Sequence, residues 1–231
     1  MALLYYQEGW RCAGTLINER YILTAAHCVK NVKLNFVRLG EFDLSLRIDC
    51  DQWGWGCAPA PQDIPIDRVI IHKKYNSRRK QNDIALLRLA HPVTLNKNVM
   101  PICLPVTPQL RENEQWYKVF GWGRTEKDMS GKLRGAEVNL LLQDACNKWI
   151  AQVDKYIRNT NTQVCAIGAA NMSEHCRGDS GGPLLTRTST GRYVQYGVVS
   201  YGLYSCGKEP FPETYTRVAS FIDWIFDNLE E

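Results

Sequence analysis

Long hydrophobic runs are missing from this sequence. No segment approaches the roughly 20 consecutive apolar residues that a membrane-spanning helix needs. The opening Met1–Leu4 is also too short, and too soon followed by polar residues, to be a secretory signal peptide. We therefore expect no membrane partner.

The sequence also has no stripe of basic residues. Its 28 lysines and arginines against 24 aspartates and glutamates give a formal net charge of +4, and the basic residues are scattered apart from the triplet at 78–80. Such a triplet is more typical of a solvated loop than of a nucleic-acid surface. The charge pattern therefore predicts no nucleic-acid partner.

Cysteine is plentiful, but the Cys-x-x-Cys pair of zinc ribbons and thioredoxin-like sites is absent. Nine cysteines in 231 residues favour disulfides formed outside the cytosol, and hence a secreted, extracellular protein. Composition leaves the connectivity open, and the odd cysteine must stay free or bond to another chain. A secreted protein without a signal peptide is expected to be a fragment of a longer chain.

Short β-rich runs recur between turn residues, without an evident internal repeat. This spacing predicts an all-β barrel or sandwich. A chain of 231 residues can form one such unit or two small domains. The clearest runs are Tyr21–Thr24, Phe36–Leu39, Arg68–Ile71, Ile84–Leu89 and Tyr193–Val199.

Two segments depart from this pattern because their apolar residues have helical spacing. Near the C-terminus, Ser220 and Asp223 can form a capping pair for a terminal helix that docks on the body of the protein. Asp144 can cap a shorter helix that runs through Ile150. The proline-containing stretch 101–114 is the best candidate for a linker between two halves.

Three short motifs carry the residue types that serine-dependent hydrolysis needs: a nucleophile, a base, a group that orients the base, and donors for the oxyanion. TAAHC places His27 in a turn of small residues, NDIALL places Asp83 at the mouth of a buried strand, and GDSGG places Ser180 where glycines let backbone N–H groups face a ligand. Each motif alone is modest evidence, because a single histidine or aspartate is more often structural.

Together, in the order His, Asp, Ser, the motifs resemble the chymotrypsin-like serine proteases. The similarity extends over nearly the whole chain through GWG at 121–123, SYG at 200–202 and YTRV at 215–218. The resemblance implies that Ser180 is the nucleophile, His27 the general base and acid, and Asp83 the group that orients His27. It also implies an oxyanion hole formed by the N–H groups of Gly178 and Ser180.

The fold that this resemblance implies is all-β, with two orthogonal six-stranded antiparallel β-barrels, a C-terminal α-helix and the active site between the barrels. One trypsin-like peptidase domain would cover residues 1–231. Its N-terminal barrel would take about 1–105, its C-terminal barrel about 115–215 and its helix about 219–229.

Finer features are similar to the catalytic domain of clip-domain proteases, which run invertebrate immune, clotting and developmental cascades. These features are a short loop between two cysteines at 50–57, an extra cysteine in PICLP, and Ser-Tyr-Gly in place of the commoner Ser-Trp-Gly. Four disulfides are implied: Cys12 with Cys28, Cys50 with Cys57, Cys146 with Cys165, and Cys176 with Cys206. Cys103 would bond to the segment that joins a clip domain to the protease domain.

The same resemblance implies a secreted endopeptidase that activates a downstream zymogen, is inhibited by serpin-type proteins and requires no cofactor. Active family members begin with Ile-Val-Gly-Gly or a similar sequence, whose new ammonium inserts beside the aspartate before the nucleophile, here Asp179. This chain starts later in that pattern. The start of the catalytic domain and any clip domain are therefore expected to be missing, and the loop at Gly178 is expected to be poorly formed without them.

The expected specificity pocket departs from the trypsin-like pattern. The aspartate usually found six residues before the nucleophile is Glu174, and a wall position that is usually glycine is Glu213; His175, Ser200 and Gly202 complete the pocket. Two carboxylates repel each other unless a cation lies between them, which favours Lys or Arg before the scissile bond. The volume of Glu213 favours the alternative, a catalytically weak or inactive cofactor or binding module with a self-occluded pocket.

Two loop features carry further hypotheses. Glu41 and Asp43 lie where several trypsin-like relatives bind a structural calcium ion, although ordinary solvated acids are as plausible. The loop between Cys50 and Cys57 carries Trp53 and Trp55, whose side chains either contact a protein partner or pack against the barrel.

Overall fold

Six strands of the first half pair antiparallel into a closed barrel in this computed structural model, which describes residues 1–51, 53, 56–111, 116–123, 131–168, 179–188, 190–202 and 211–230. The strands are β1 Ala2–Tyr6, β2 Gly9–Asn18, β3 Tyr21–Thr24, β4 Leu34–Leu39, β5 Gln62–Ile71 and β6 Ala85–Leu89. Their order around the barrel is β1-β2-β3-β6-β5-β4.

Six strands of the second half close a second antiparallel barrel. They are β7 Trp116–Gly121, β8 Arg134–Leu141, β9 Gln163–Gly168, β10 Pro183–Arg187, β11 Tyr193–Gly202 and β12 Glu213–Arg217. Their order, β10-β11-β12-β9-β8-β7, repeats the connectivity of the first barrel. The all-β fold with two six-stranded barrels is therefore confirmed.

Each barrel is filled by apolar side chains, and several strands are buried over consecutive residues and not only on alternate ones, as in Tyr21–Thr24 and Pro183–Thr186. Leu4, Leu23 and Leu87 are fully buried in the first barrel. Tyr196 and Tyr215 are fully buried in the second. Each barrel therefore has a core of its own.

The helices are α1 Ala26–Val29, α2 Gln143–Val153 and α3 Ile222–Asp227. α3 begins later than expected, because Val218–Ser220 forms a 3-10 turn first and Phe221 precedes the helix without a side-chain capping bond. The predicted cap by Ser220 and Asp223 was therefore wrong.

The predicted cap by Asp144 was also wrong. Leu142 precedes α2, and Asp144 lies inside its first turn, where a negative charge still suits the positive end of the helix dipole. None of the helices in the described ranges is both long and apolar enough to cross a membrane.

The segment from Pro101 connects the barrels and hydrogen bonds to both of them. The N–H of Ile102 donates to the carbonyl of Leu16 on β2 at 2.9 Å, and the N–H of Gln195 on β11 donates to the carbonyl of Cys103 at 2.9 Å. The linker is thus fixed at its start, and a 3-10 helix follows at Pro108–Arg111.

Three disulfides join described cysteines: Cys12–Cys28, Cys50–Cys57 and Cys146–Cys165. These are three of the pairs that the resemblance implied; Cys176 and Cys206 lie outside the described residues. Cys103 is the described cysteine with a free thiol.

Candidate active site

Strand pairing brings His27 and Asp83 together. β3 pairs with β6 so that Thr24 lies opposite Ala85, which places the start of α1 beside the residues just before β6. The carboxylate of Asp83 accepts a hydrogen bond from His27 Nδ1 at 2.7 Å and another from the His27 backbone N–H at 2.9 Å. A proton held on Nδ1 leaves Nε2 as an acceptor, which is the tautomer that a general base needs.

Two residues of the second barrel also bind Asp83. The Ser200 hydroxyl donates to Asp83 Oδ2 at 2.6 Å, and the Thr216 hydroxyl donates to the Asp83 backbone carbonyl at 2.8 Å. Asp83 is only 2% exposed, so a buried carboxylate is satisfied by donors from both barrels. The sequence suggested Ser200 only as a pocket residue, and no signal in it pointed to Thr216.

Ser180 lies in a turn that hydrogen bonds to both barrels. Its carbonyl accepts the N–H of Ala13 on β2 at 2.8 Å, and the N–H of Gly181 donates to Val199 on β11 at 2.9 Å. Gly181 has a φ of +81°, and a Cβ there would collide with the Ala13 carbonyl, so both backbone geometry and space require glycine. The turn is therefore held at the junction of the barrels.

The Cys12–Cys28 disulfide lies between these groups. The Cys28 Sγ is 3.6 Å from His27 Nε2 and 3.5 Å from the Ser180 carbonyl oxygen. His27 and Ser180 therefore share a neighbour, and the structure brings all three predicted triad residues to one place. Cys12, His27 and Cys28 are close enough to suggest a metal site. Both sulfurs are bonded to each other in the disulfide, however, and so are not thiolates that could bind a metal.

Asp179 is buried against the GWG motif. Its Oδ1 accepts the N–H of Gly123 at 2.8 Å, and a Cβ on Gly121 would overlap its carboxylate. The motif thus provides a donor and the space for this side chain. The predicted activation partner is therefore a buried carboxylate directly beside the Ser180 turn.

Glu213 lies at the start of β12, where it pairs with Gly202 of β11. Tyr215 donates a hydrogen bond from its hydroxyl to Glu213 Oε2 at 3.1 Å. Burial raises the pKa of the Glu213 carboxyl to about 7, and the charge of Asp179 acts in the same direction. If Glu213 lines the specificity pocket as predicted, that pocket would contain a carboxyl whose pKa is raised by burial toward neutral pH.

Several predicted site residues lie outside the described residues: Glu174 and His175 of the pocket, Gly178 of the oxyanion hole, and the disulfide pair Cys176 and Cys206. Gly202 is described, and a Cβ there would lie 3.5 Å from Glu213 Cγ. The side chain of Glu213 thus lies against Gly202.

The two suggested calcium ligands contact cationic side chains of the protein. Arg38 lies 3.5 Å from Glu41 Oε2; Asp43 accepts hydrogen bonds from Ser45 at Oδ1, and its Oδ2 lies 3.4 Å from Lys132 Nζ. Among the described residues, these carboxylates belong to no group of three converging ligand-type side chains. Their arrangement does not fit a calcium site, which needs several converging oxygens.

The sequence matches the model of the family described as Trypsin over residues 1–225. The crystal structure of the Drosophila Grass clip serine protease of the Toll pathway superposes with a TM-score of 0.85 at 39% identity, covering 98% of this chain and 67% of that one.

Curated relatives agree with the family match. They include the clip-domain serine protease HP8 of Bombyx mori, 43% identical over 251 residues, and phenoloxidase-activating factor 3 of Holotrichia diomphalia, 43% identical over 231 residues. The match covers 100% and 96% of this chain, but only 66% and 65% of those proteins. The chain thus spans about two thirds of their length.

Proposed function

This chain belongs to the trypsin family, and we propose that it is the catalytic domain of a secreted serine endopeptidase that acts in a proteolytic cascade. The observation that carries the proposal is the His27–Asp83 hydrogen bond of 2.7 Å, located beside a Ser180 turn that both barrels hold. Serine hydrolysis requires this combination of an oriented base and a fixed nucleophile.

The reaction would proceed through an acyl-enzyme. His27 Nε2 takes the proton of the Ser180 hydroxyl as the oxygen attacks the scissile carbonyl, and it then gives that proton to the leaving amine. Asp83 keeps the proton of Nδ1 in place and stabilises the imidazolium. The N–H groups of Ser180 and Gly178 would stabilise the oxyanion, a contribution worth about 2.7–4 kcal/mol per donor.

The proposed substrates have Lys or Arg before the scissile bond. Glu213 supports this because a cation beside a buried carboxyl favours its ionised form and forms a charge-assisted hydrogen bond with it. The names of the relatives, an activator of phenoloxidase and a protease of the Toll pathway, support a downstream zymogen as the substrate. Serpin-type inhibitors, and a clip domain linked through Cys103, would be the other partners.

Labelling with a serine-directed phosphonate tests the nucleophile. The activated protein should be labelled, and Ser180→Ala should not. A panel of chromogenic peptides should then show cleavage after Lys or Arg. Labelling that persists in Ser180→Ala would contradict the assignment of the nucleophile.

The alternative, an inactive binding module, has one observation in its favour. Glu213 lies against Gly202, and in the predicted pocket its volume would reduce the space for a substrate side chain. In that case wild type would not be labelled, and it would cleave none of the peptides.

A further inference from the structure

Arg11 is next in sequence to a disulfide that contacts the groups proposed to perform the reaction. It directly precedes Cys12, whose disulfide partner Cys28 has its Sγ 3.6 Å from His27 Nε2 and 3.5 Å from the Ser180 carbonyl. Arg11 is exposed. A solvent-accessible cation is therefore one residue away from the disulfide that contacts both His27 and Ser180.

A β-bulge determines the position of Arg11. On β1 and β2, Leu4 pairs with Cys12 but Tyr5 pairs with Trp10, so Arg11 is an extra residue with no partner on β1. Bulges beside active sites change the direction in which a side chain projects. The direction of the Arg11 side chain is thus set by the bulge, and not by the regular alternation of side chains along β2.

Tyr6 fixes the guanidinium in place. The Arg11 Cζ lies 4.5 Å from the centre of the Tyr6 ring, at cation–π distance. Tyr6 is 5% exposed, and its hydroxyl donates to the Cys28 carbonyl at 2.7 Å. The cation therefore rests on a ring that is itself anchored to the residue after His27.

Arg11 retains its capacity to bind an acid. It takes part in none of the ion pairs formed within the described part of the chain. Its neighbour Glu8 in the same hairpin is exposed and forms no ion pair with it there. An incoming carboxylate would therefore not have to displace an internal partner.

The chemistry shows on which side of the substrate Arg11 lies. His27 Nε2 gives its proton to the leaving amine, so the chain that follows the scissile bond leaves beside Nε2. The Cys12–Cys28 disulfide lies beside that atom, with Cys28 Sγ 3.6 Å from it, and Arg11 precedes Cys12 in the chain.

We infer that Arg11 is a specificity residue that selects substrates with an acidic side chain within the first residues after the scissile bond. This inference rests on the proposed endopeptidase function. The preferred cleavage sequence would then have a basic side chain before the bond and an acidic one shortly after it.

Internally quenched peptides test the inference. They share Arg before the scissile bond and differ only in carrying Glu, Gln or Lys as the second residue after it. Because an exposed ion pair is a weak interaction, we expect wild type to prefer the Glu peptide over the Lys peptide by about fivefold in kcat/KM. Arg11→Gln should remove the preference, Arg11→Glu should reverse it, and high salt should weaken it.

Two controls separate the effect of the charge at Arg11 from a change in the overall charge of the protein and from a change in its catalytic activity. Arg192→Glu makes the same charge change in the β10–β11 connection, at the end of β10 away from Ser180, and should keep the wild-type preference. A chromogenic anilide, which has no residue after the scissile bond, should be cleaved equally by wild type and both Arg11 variants.

The outcomes are distinct for the two proposals. Normal anilide cleavage with an unchanged Glu-to-Lys ratio in Arg11→Gln and Arg11→Glu would overturn the role of Arg11 and leave the endopeptidase in place. If wild type neither cleaves the anilide nor reacts with the phosphonate, the endopeptidase function fails, and the inference that rests on it fails too.

Discussion

Glu213 makes the stability of this protein depend on pH in a way that one substitution should remove. Mainly through burial, the pKa of its carboxyl is raised from 4.5 to about 7. Between these two values the folded chain keeps a proton that the unfolded chain has lost. Stability should therefore fall as the pH rises through this interval, because the folded state binds more protons there.

The size of the effect follows from the two pKa values. Their difference corresponds to about 3 kcal/mol in the free energy of unfolding once both states are ionised. This is an upper value, because part of the Glu213 side chain remains in contact with solvent. For a chain of this length it corresponds to a change of roughly 6–12 °C in Tm.

Glu213→Gln is the appropriate substitution. The glutamine keeps an oxygen that can accept the hydrogen bond of Tyr215 but has no proton to lose. At pH 5 the variant and wild type should have similar Tm values, and at pH 8 the variant should be more stable. Thermal unfolding at one scan rate and several pH values measures the difference.

A matched control is Glu19→Gln, which removes an exposed carboxyl and should keep the wild-type pH dependence. Binding of a small aromatic amidine gives a second readout. In wild type its affinity should increase between pH 6 and 8 as Glu213 ionises, and in Glu213→Gln this increase should be absent. Equal pH dependence of Tm in wild type and Glu213→Gln would refute this account of Glu213.

Further predictions concern individual contacts. Glu213→Gly should raise kcat/KM for Lys and Arg peptides, because the recovered volume of the predicted pocket outweighs the loss of one carboxylate while Glu174 is retained; a preference for large apolar residues would contradict this. Ser200→Ala should destabilise the protein by about 1.5–3 kcal/mol and lower kcat, because the buried Asp83 loses a donor; unchanged stability in urea unfolding would contradict it. Replacing Trp53, which is 73% exposed, with alanine should slow cleavage of a protein substrate but not of a short peptide. An equal loss of kcat/KM for both substrates would assign its side chain to packing. Millimolar calcium or a chelator should leave Tm unchanged, since Asp43 is already paired with a lysine. A rise of several degrees in Tm on addition of calcium would support the calcium site instead.

Three short motifs were sufficient to predict that His27, Asp83 and Ser180 belong together, and the structure brings their segments to one place. Contacts made across the chain were not predictable in the same way. The hydroxyl of Thr216 reaches a carbonyl that is 133 residues earlier; the YTRV motif marked this segment as similar to the family but did not indicate the contact. The shared strand order of the two barrels could not be predicted from an internal repeat either. The two halves have the same strand pairing but no evident similarity in sequence.

The failed predictions have local causes. Ser220 and Asp223 have the spacing of a capping pair, but packing of the preceding turn shifts the helix start to Ile222. The calcium hypothesis for Glu41 and Asp43, which rested on the position of their loop in trypsin-like relatives, stays a prediction that a binding experiment must test. Only the folded structure places Lys132, from the other barrel, next to one of them.

If the proposed roles of Asp179 in activation and of Glu213 in substrate binding hold, the electrostatic influence of one on the other would connect the two events. The charge of Asp179 is one of the causes that raise the pKa of Glu213. A cation that pairs with Asp179, as the new chain terminus does in active members of the family, would reduce this repulsion and make Glu213 easier to ionise. Ionised Glu213 is also the form that attracts a basic substrate side chain. Because coupling between two sites is reciprocal, a basic group bound at Glu213 would in turn favour the pairing of Asp179, so each event would stabilise the charge state that the other requires.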